Sequence, residues 1–251
     1  MINVVVCKER QEIAERGADR LVSVIGEHDT PVLGLATGSS PIGMYEELIR
    51  RYEKGEVDFS RVITFNLDEY YPISPDNDQS YRYFMNRHLF DHVNIQMANT
   101  HILDGLSTDV EKECRAFERQ IEEAGGVDIQ VLGIGRNGHI GFNEPAPSLV
   151  PGVHKTDLTE STIRANARFF ASESDVPRQS LTMGMANILR AREILVIAYG
   201  EDKAEAVAAL LSGGVTTACP VTFLNLHDRV TLLCDRAALT LCGEGVPQTE
   251  S

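Results

Sequence analysis

The sequence predicts an α/β protein built on a mostly parallel sheet, and three observations carry that prediction. Short β-branched runs alternate with longer stretches of helical period, the pattern of strands joined by crossover helices. A polar loop, "TGSS", ends on Pro41, a residue suited to the first turn of a helix. The apolar stretch "KAEAVAALLSG" stops at Gly213-Gly214, a C-terminal helix signal.

Taken in order, "INVVV" reads as the first strand. Residues 8 to 26 follow with Ile13, Ala14, Gly17, Ala18, Leu21, Val22 and Ile25 at helix spacing. "PVLGLA" is the second strand, and the helix from Pro41 carries Met44, Tyr45, Leu48 and Ile49 on one face. "RVITFNL" is the third, running into Asp68, Glu69 and Tyr70, then the turn-rich "PISPDNDQS" and a helix from about Ser80. A charged amphipathic helix over 109–123 leads into "VDIQVLGIG", the fourth strand, and "EILVIAYG" and "RVTLLCD" supply two later strands around the "KAEAVAALLSG" helix. The segment 145–177 breaks this rhythm: it holds prolines at 145, 147, 151 and 177 and no sustained apolar period. Long irregular segments inside compact domains are lids or binding loops, or else disordered, and a lid is expected here. No internal repeat appears, and residues 1–251 read as one domain ending in a polar tail.

Charge narrows the function. The 251 residues hold 23 basic and 37 acidic side chains, a net charge of −14. Such a surface repels nucleic acid and anionic membrane, so neither is an expected partner. An anionic substrate would need a local pocket of donors and cations set against that field. The five cysteines are scattered and form no C-x-x-C pair, which points to reduced thiols. The N-terminus has too short an apolar run for a signal peptide, and no window approaches a membrane span, so the cytoplasm is expected.

Three loops at predicted strand ends hold the candidate chemistry. "GIGRNGHIGFNEP" (133–145) has the G-x-G-x-x-G spacing of a dinucleotide turn, but Gly141 and Pro145 follow too soon for a helix to run on from Gly138. Instead Asn137, His139, Asn143 and Glu144 crowd into eight residues at a strand end, where open α/β sheets bind ligands. In "ATGSSPIG", Thr37, Gly38, Ser39 and Ser40 offer hydroxyls and backbone N–H groups at a helix start, an anion site or else a plain serine cap. The loop lacks the Gly-Lys-Ser/Thr of a nucleotide P-loop, so a single phosphate fits it better than a triphosphate. In "NLDEY", adjacent Asp68 and Glu69 repel, which raises one carboxyl and suits a general base. Arg168 and Lys203 are candidate cations. His88 and His92 have helical metal spacing but lack the H-E-x-x-H glutamate, and are read as structural.

Together "TFNLDEY", "GIGRNGHIGFNEP", "ATGSSPIGMYEEL" and "ANARFF" resemble the glucosamine-6-phosphate deaminase family, across nearly the whole chain. The resemblance implies a modified Rossmann-like α/β fold with a mobile lid. It also implies conversion of D-glucosamine 6-phosphate and water to D-fructose 6-phosphate and ammonia, in amino-sugar catabolism, with no cofactor and no metal. By that resemblance Asp68 takes the C2 proton and returns it at C1. His139 moves the proton that opens the sugar ring, supported by Glu144 and Asn137. Thr37, Gly38, Ser39, Ser40, Arg168 and Lys203 receive the phosphate.

Two positions depart from patterns found in the family. The residue two before the histidine is often Asp and here is Asn137, which can hold the imidazole but adds no negative charge, leaving that to Glu144. Allosteric, hexameric members carry basic residues after "NEP" and a longer C-terminal part. This chain has His154 and Thr156 there and a short C-terminus, so a non-allosteric monomer is expected rather than a homo-oligomer. The alternatives are a 6-phosphogluconolactonase-like hydrolase, which needs no base at C2, and a non-catalytic sugar-phosphate sensor, which normally carries a DNA-binding module.

Overall fold

The computed structural model describes residues 2–243 except 168, 169, 171, 173 and 174. The chain begins with strand β1 (Asn3–Cys7), helix α1 (Arg10–Glu27), β2 (Val32–Leu35), α2 (Ile42–Glu53) and β3 (Ile63–Asn66). It continues through β4 (Asp68–Tyr71), α3 (Tyr81–His88), the two-residue β5 (Thr100–His101), α4 (Val110–Glu123) and β6 (Ile129–Gly133). Then come β7 (His154–Asp157), α5 (Glu160–Asn166), β8 (Gln179–Thr182), α6 (Met185–Leu189), β9 (Ile194–Ala198), α7 (Ala204–Leu211) and β10 (Val230–Asp235). The elements read from periodicity fall within about two residues of these bounds, with Pro41 preceding α2 as its cap rather than opening it.

Seven strands pair in the order β1-β10-β9-β6-β2-β3-β5, every pair parallel. Both faces are covered, which is why the central strands read as continuous apolar runs. Alternate residues of β9 divide between two cores: Ile194, Val196 and Ala198 enter one, Leu195 and Ile197 the other. Helix α1 buries Ile13, Ala14, Gly17, Ala18, Leu21, Val24 and Ile25, so the expected stripe forms with Val24 in place of Val22.

A second, antiparallel sheet, β4-β8-β7, grows from the end of the first. Leu67 is the hinge between them: its N–H donates to Leu35 O at 3.0 Å in the parallel sheet, while its carbonyl accepts the Met183 N–H at 2.8 Å in the antiparallel one. Asp68 is therefore the first residue of a strand in a new direction.

This second sheet corrects the reading of 145–177 as irregular throughout. The segment contains β7 and α5, and Leu158, Ile163 and Val176 bury into a small core with Tyr70, Ile73 and Phe142. The sequence hid them because β7 is an edge strand of the four polar residues His-Lys-Thr-Asp, with no apolar alternation, and α5 spans only seven residues. The five cysteines are free. No described helix is long and apolar enough to cross a membrane.

Candidate active site

Strands β2 and β6 are neighbours, but the chain leaves β2 for β3 on one side and leaves β6 for β9 on the other. At such a switch point the loops beyond the strand ends diverge and open a crevice. The 37–40 loop follows β2 and the 133–145 loop follows β6, so the topology brings together two of the three candidate loops; Asp68, two residues beyond the end of β3, adds the third.

The 133–145 loop makes no helix. It folds back so that the Gly135 N–H donates to His139 O at 2.9 Å. A side chain at Gly135 would sit 2.3 Å from the His139 ring atoms, so only glycine lets the imidazole lie flat on the backbone. His139 Nδ1 is 2.8 Å from Asn137 Oδ1, and Asn137 Nδ2 donates to Glu144 Oε2 at 2.7 Å. The ionised glutamate only accepts, which turns the amide oxygen toward the ring and assigns the hydrogen to Nδ1. Nε2 is then the ring nitrogen with a lone pair. Glu144 Oε2 also lies 3.5 Å from Nδ1.

Glu144 is held from its other side by α5. Thr162 Oγ1 donates to its Oε1 in a short hydrogen bond, and Thr159 Oγ1 reaches the same oxygen at 3.4 Å. Burial alone would raise this carboxyl; the partners His139, Thr162 and Asn137 outweigh it and bring it down to about 2. The threonines lie 15 and 18 residues beyond Glu144, with no local signal to mark them.

Asp68 has the opposite surroundings. It is buried, and no hydrogen bond to its carboxylate is found among the described residues. Burial, reinforced by the charge of Glu69, pushes it up to about 8. Its neighbour Glu69 turns away to the start of α3, accepting N–H groups from Tyr81 at 2.8 Å and Arg82 at 3.0 Å, with the Tyr70 N–H at 2.9 Å. Burial lifts Glu69 to about 7 against the pull of those donors. The adjacent pair is thus divided: Glu69 anchors a helix and Asp68 is left available.

The His139 loop and Asp68 touch through Gly141, whose φ is 57°. A Cβ there would meet Thr182 Oγ1 at 3.0 Å and Asp68 Oδ2 at 3.3 Å, so the glycine admits both the turn and the close approach. Asn143 fastens the contact: its Nδ2 donates to Ile140 O at 2.9 Å and to Met183 O at 2.8 Å, joining the loop to β8, the partner of β4. Sequence density had singled out Asn143, but not this work.

In the 37–40 loop, Pro41 caps α2, and no hydrogen bond of the Ser39 or Ser40 hydroxyl to the helix start is found among the described residues. The buried Tyr45 hydroxyl donates to Ala36 O at 2.6 Å and fixes the loop's entry. Lys203 closes a 3-10 turn, Glu201–Lys203, beyond β9, with Nζ 3.7 Å from Asp202 Oδ2, an oxygen shared with Arg136 Nε at 3.1 Å. Arg168 lies outside the described residues. His88 packs on the Phe84 ring and His92 Nε2 contacts Arg87 O at 2.8 Å, both structural.

The geometry therefore unites a histidine relay, an isolated raised carboxyl and a loop of backbone donors at one sheet edge. Comparison with known proteins agrees with that class. Residues 8–233 match the family model for glucosamine-6-phosphate isomerases/6-phosphogluconolactonase. A 6-phosphogluconolactonase of Thermotoga maritima shares the fold, with a TM-score of 0.74 at 22% identity over 94% of this chain and 99% of its own. The nearer similarities are narrower in kind. A glucosamine-6-phosphate deaminase of Clostridium perfringens is 52% identical over 96% of this chain and 99% of its own length. One of Halothermothrix orenii is 50% identical over 96% and 100%. The structure of a monomeric glucosamine-6-phosphate deaminase superposes with a TM-score of 0.93 at 42% identity, covering 96% of this chain and all of the other. The chain belongs to the glucosamine-6-phosphate deaminase family.

Proposed function

We propose that this protein converts D-glucosamine 6-phosphate and water to D-fructose 6-phosphate and ammonia. The observation that carries the reading is the buried, unbonded Asp68 carboxyl, raised to about 8, against the loop that bears His139. A lactone hydrolase needs no base positioned at C2.

His139 Nε2 accepts the C1 hydroxyl proton and returns it to the ring oxygen, opening the sugar; the Asn137–Glu144 relay holds Nδ1–H and balances the imidazolium that forms. Asp68 removes the C2 proton to give an enolamine and delivers a proton to C1, leaving a ketimine. Water adds to C2, the ketimine carbon, and ammonia departs from it. The phosphate rests on Thr37, Gly38, Ser39 and Ser40, with Lys203 and Arg168 supplying the charge that the acidic surface lacks. The segment 145–177 acts as a lid, supported by the link from Thr162 to Glu144 and by Asn166 Nδ2, which donates to Tyr70 OH at 2.8 Å. The protein works as a cytoplasmic monomer without allosteric activation, a reading supported by the monomeric relative.

The test is an assay of purified protein with glucosamine 6-phosphate, run beside lactone hydrolysis. Ammonia and fructose 6-phosphate are expected in equal amounts; their absence refutes the activity. A sigmoidal substrate curve abolished by N-acetylglucosamine 6-phosphate refutes the non-allosteric reading.

A further inference from the structure

The 37–40 loop and Lys203 arise from strands that do not touch, since β6 lies between β2 and β9. Tyr199 spans that gap, its hydroxyl donating to the Ser39 carbonyl at 3.0 Å. The next residue, Gly200, is clamped: its N–H reaches both Asp235 carboxylate oxygens at 3.0 and 3.1 Å, and its carbonyl accepts the Lys203 N–H at 3.1 Å. Tyr199 and Lys203 thus ride one short, anchored turn. Arg10, at the start of α1, lies over the tyrosine ring with Cζ 4.3 Å from its centroid, a cation–π contact that restricts the ring's motion.

The loop needs such a restraint. Gly38 and Ser39 are exposed, and nothing lies within 4 Å of where a Gly38 side chain would be. In a planar trans peptide the carbonyl and the following N–H point in opposite directions. A hydroxyl that fixes Ser39 C=O therefore also fixes the Ser40 N–H.

We propose that Tyr199, steadied by Arg10, is a positioning residue for the phosphate monoester of the substrate, locking the Ser39–Ser40 peptide and setting its distance from the Lys203 turn. The inference rests on the reading of residues 37–40 as the phosphate loop.

Steady-state kinetics with glucosamine 6-phosphate, and competitive inhibition by inorganic phosphate, test it in the full-length protein. Tyr199→Phe is expected to raise both the KM and the phosphate Ki by about 3- to 10-fold, the worth of one hydrogen bond, with kcat within about twofold. Arg10→Gln, at an exposed position, is expected to move both constants the same way by about twofold. If Tyr199→Phe leaves the phosphate Ki unchanged while Lys203→Ala weakens it, the proposal is overturned and the phosphate loop stands. If Tyr199→Phe lowers kcat at constant KM and Ki, the proposal also fails. If inorganic phosphate does not compete with substrate in the unsubstituted protein and Lys203→Ala is neutral, the phosphate-loop reading falls, and this inference with it. Should Tyr199→Phe fail to fold, Arg10→Gln decides: unchanged constants overturn the proposal.

Discussion

Glu144 and Asp68 are both carboxylates at the same sheet edge, and the protein sets them about six pH units apart, at about 2 and about 8. Glu144 is wrapped by donors from its own loop and from α5; Asp68 is buried with no donor among the described residues. Hydrogen bonds hold the one carboxylate charged, whereas burial without them raises the other toward neutrality. Environments that push two titratable groups apart in this way separate an electrostatic partner from a base.

The largest expected effect comes from removing the base. Asp68→Asn should lower kcat by about 10²- to 10⁴-fold, the usual range for a general base, while binding of fructose 6-phosphate is preserved. Unchanged turnover removes Asp68 from the mechanism; for the sensor alternative there would be no turnover to lose. In the parent protein, kcat/KM should rise as pH increases through about 8, because the carboxyl must be ionised to act. That limb should vanish in the residual activity of the variant.

Stability sharpens the contrast, because the signs are opposite. Asp68 has a folded pKa above its unfolded value of about 4, so its favourable contribution is complete below pH 4 and is lost as pH rises to about 8. Asp68→Asn should therefore raise Tm relative to the parent by an amount that grows across that window and then levels. Glu144 has a folded value depressed to about 2, so its contribution is present above about pH 4 and is lost as pH falls toward 2. Glu144→Gln should lower Tm at neutral pH, with the deficit shrinking below about pH 4. Thermal melts at pH 3 to 9 check both; parallel curves for the two variants would contradict the comparison.

Smaller effects separate the members of the relay. Glu144→Gln is expected to slow ring opening more than Asn137→Ala, because the glutamate carries the charge and the asparagine only orients; equal losses defeat that division. Thr162→Val should cost about 10-fold in kcat, the worth of one hydrogen bond to a charged group, and Thr162→Ser should restore it. A Thr162→Val protein with full activity would mean that α5 covers Glu144 without tuning it.

Much of this was legible in the chain because its signals are local. Gly135 stands close in the chain to His139, the residue it accommodates, and Asn137, His139 and Glu144 fall within one loop, so their meeting required no knowledge of the fold. Asp68 stood out through its neighbour, although only the start of α3 explains why Glu69 is the member that turns away. Thr162, Thr182 and Tyr199 left no trace: each is an ordinary residue whose partner lies 18, 40 or 160 positions away. The polar edge strand β7 was equally silent, because its half-buried positions, His154 and Thr156, are themselves polar and leave no apolar alternation.

The alternation of strands and helices, the loops at which chemistry gathers and the family they resemble could all be read from the chain alone. These rest on short-range sterics and periodic burial, which are written into consecutive residues. Which of two adjacent carboxylates is isolated, what holds Glu144 ionised, and how the 37–40 loop is tied to the turn of Lys203 came from the folded arrangement. Those outcomes depend on which groups a folded chain brings within 3 to 4 Å, where desolvation and hydrogen bonding set a carboxyl's proton affinity.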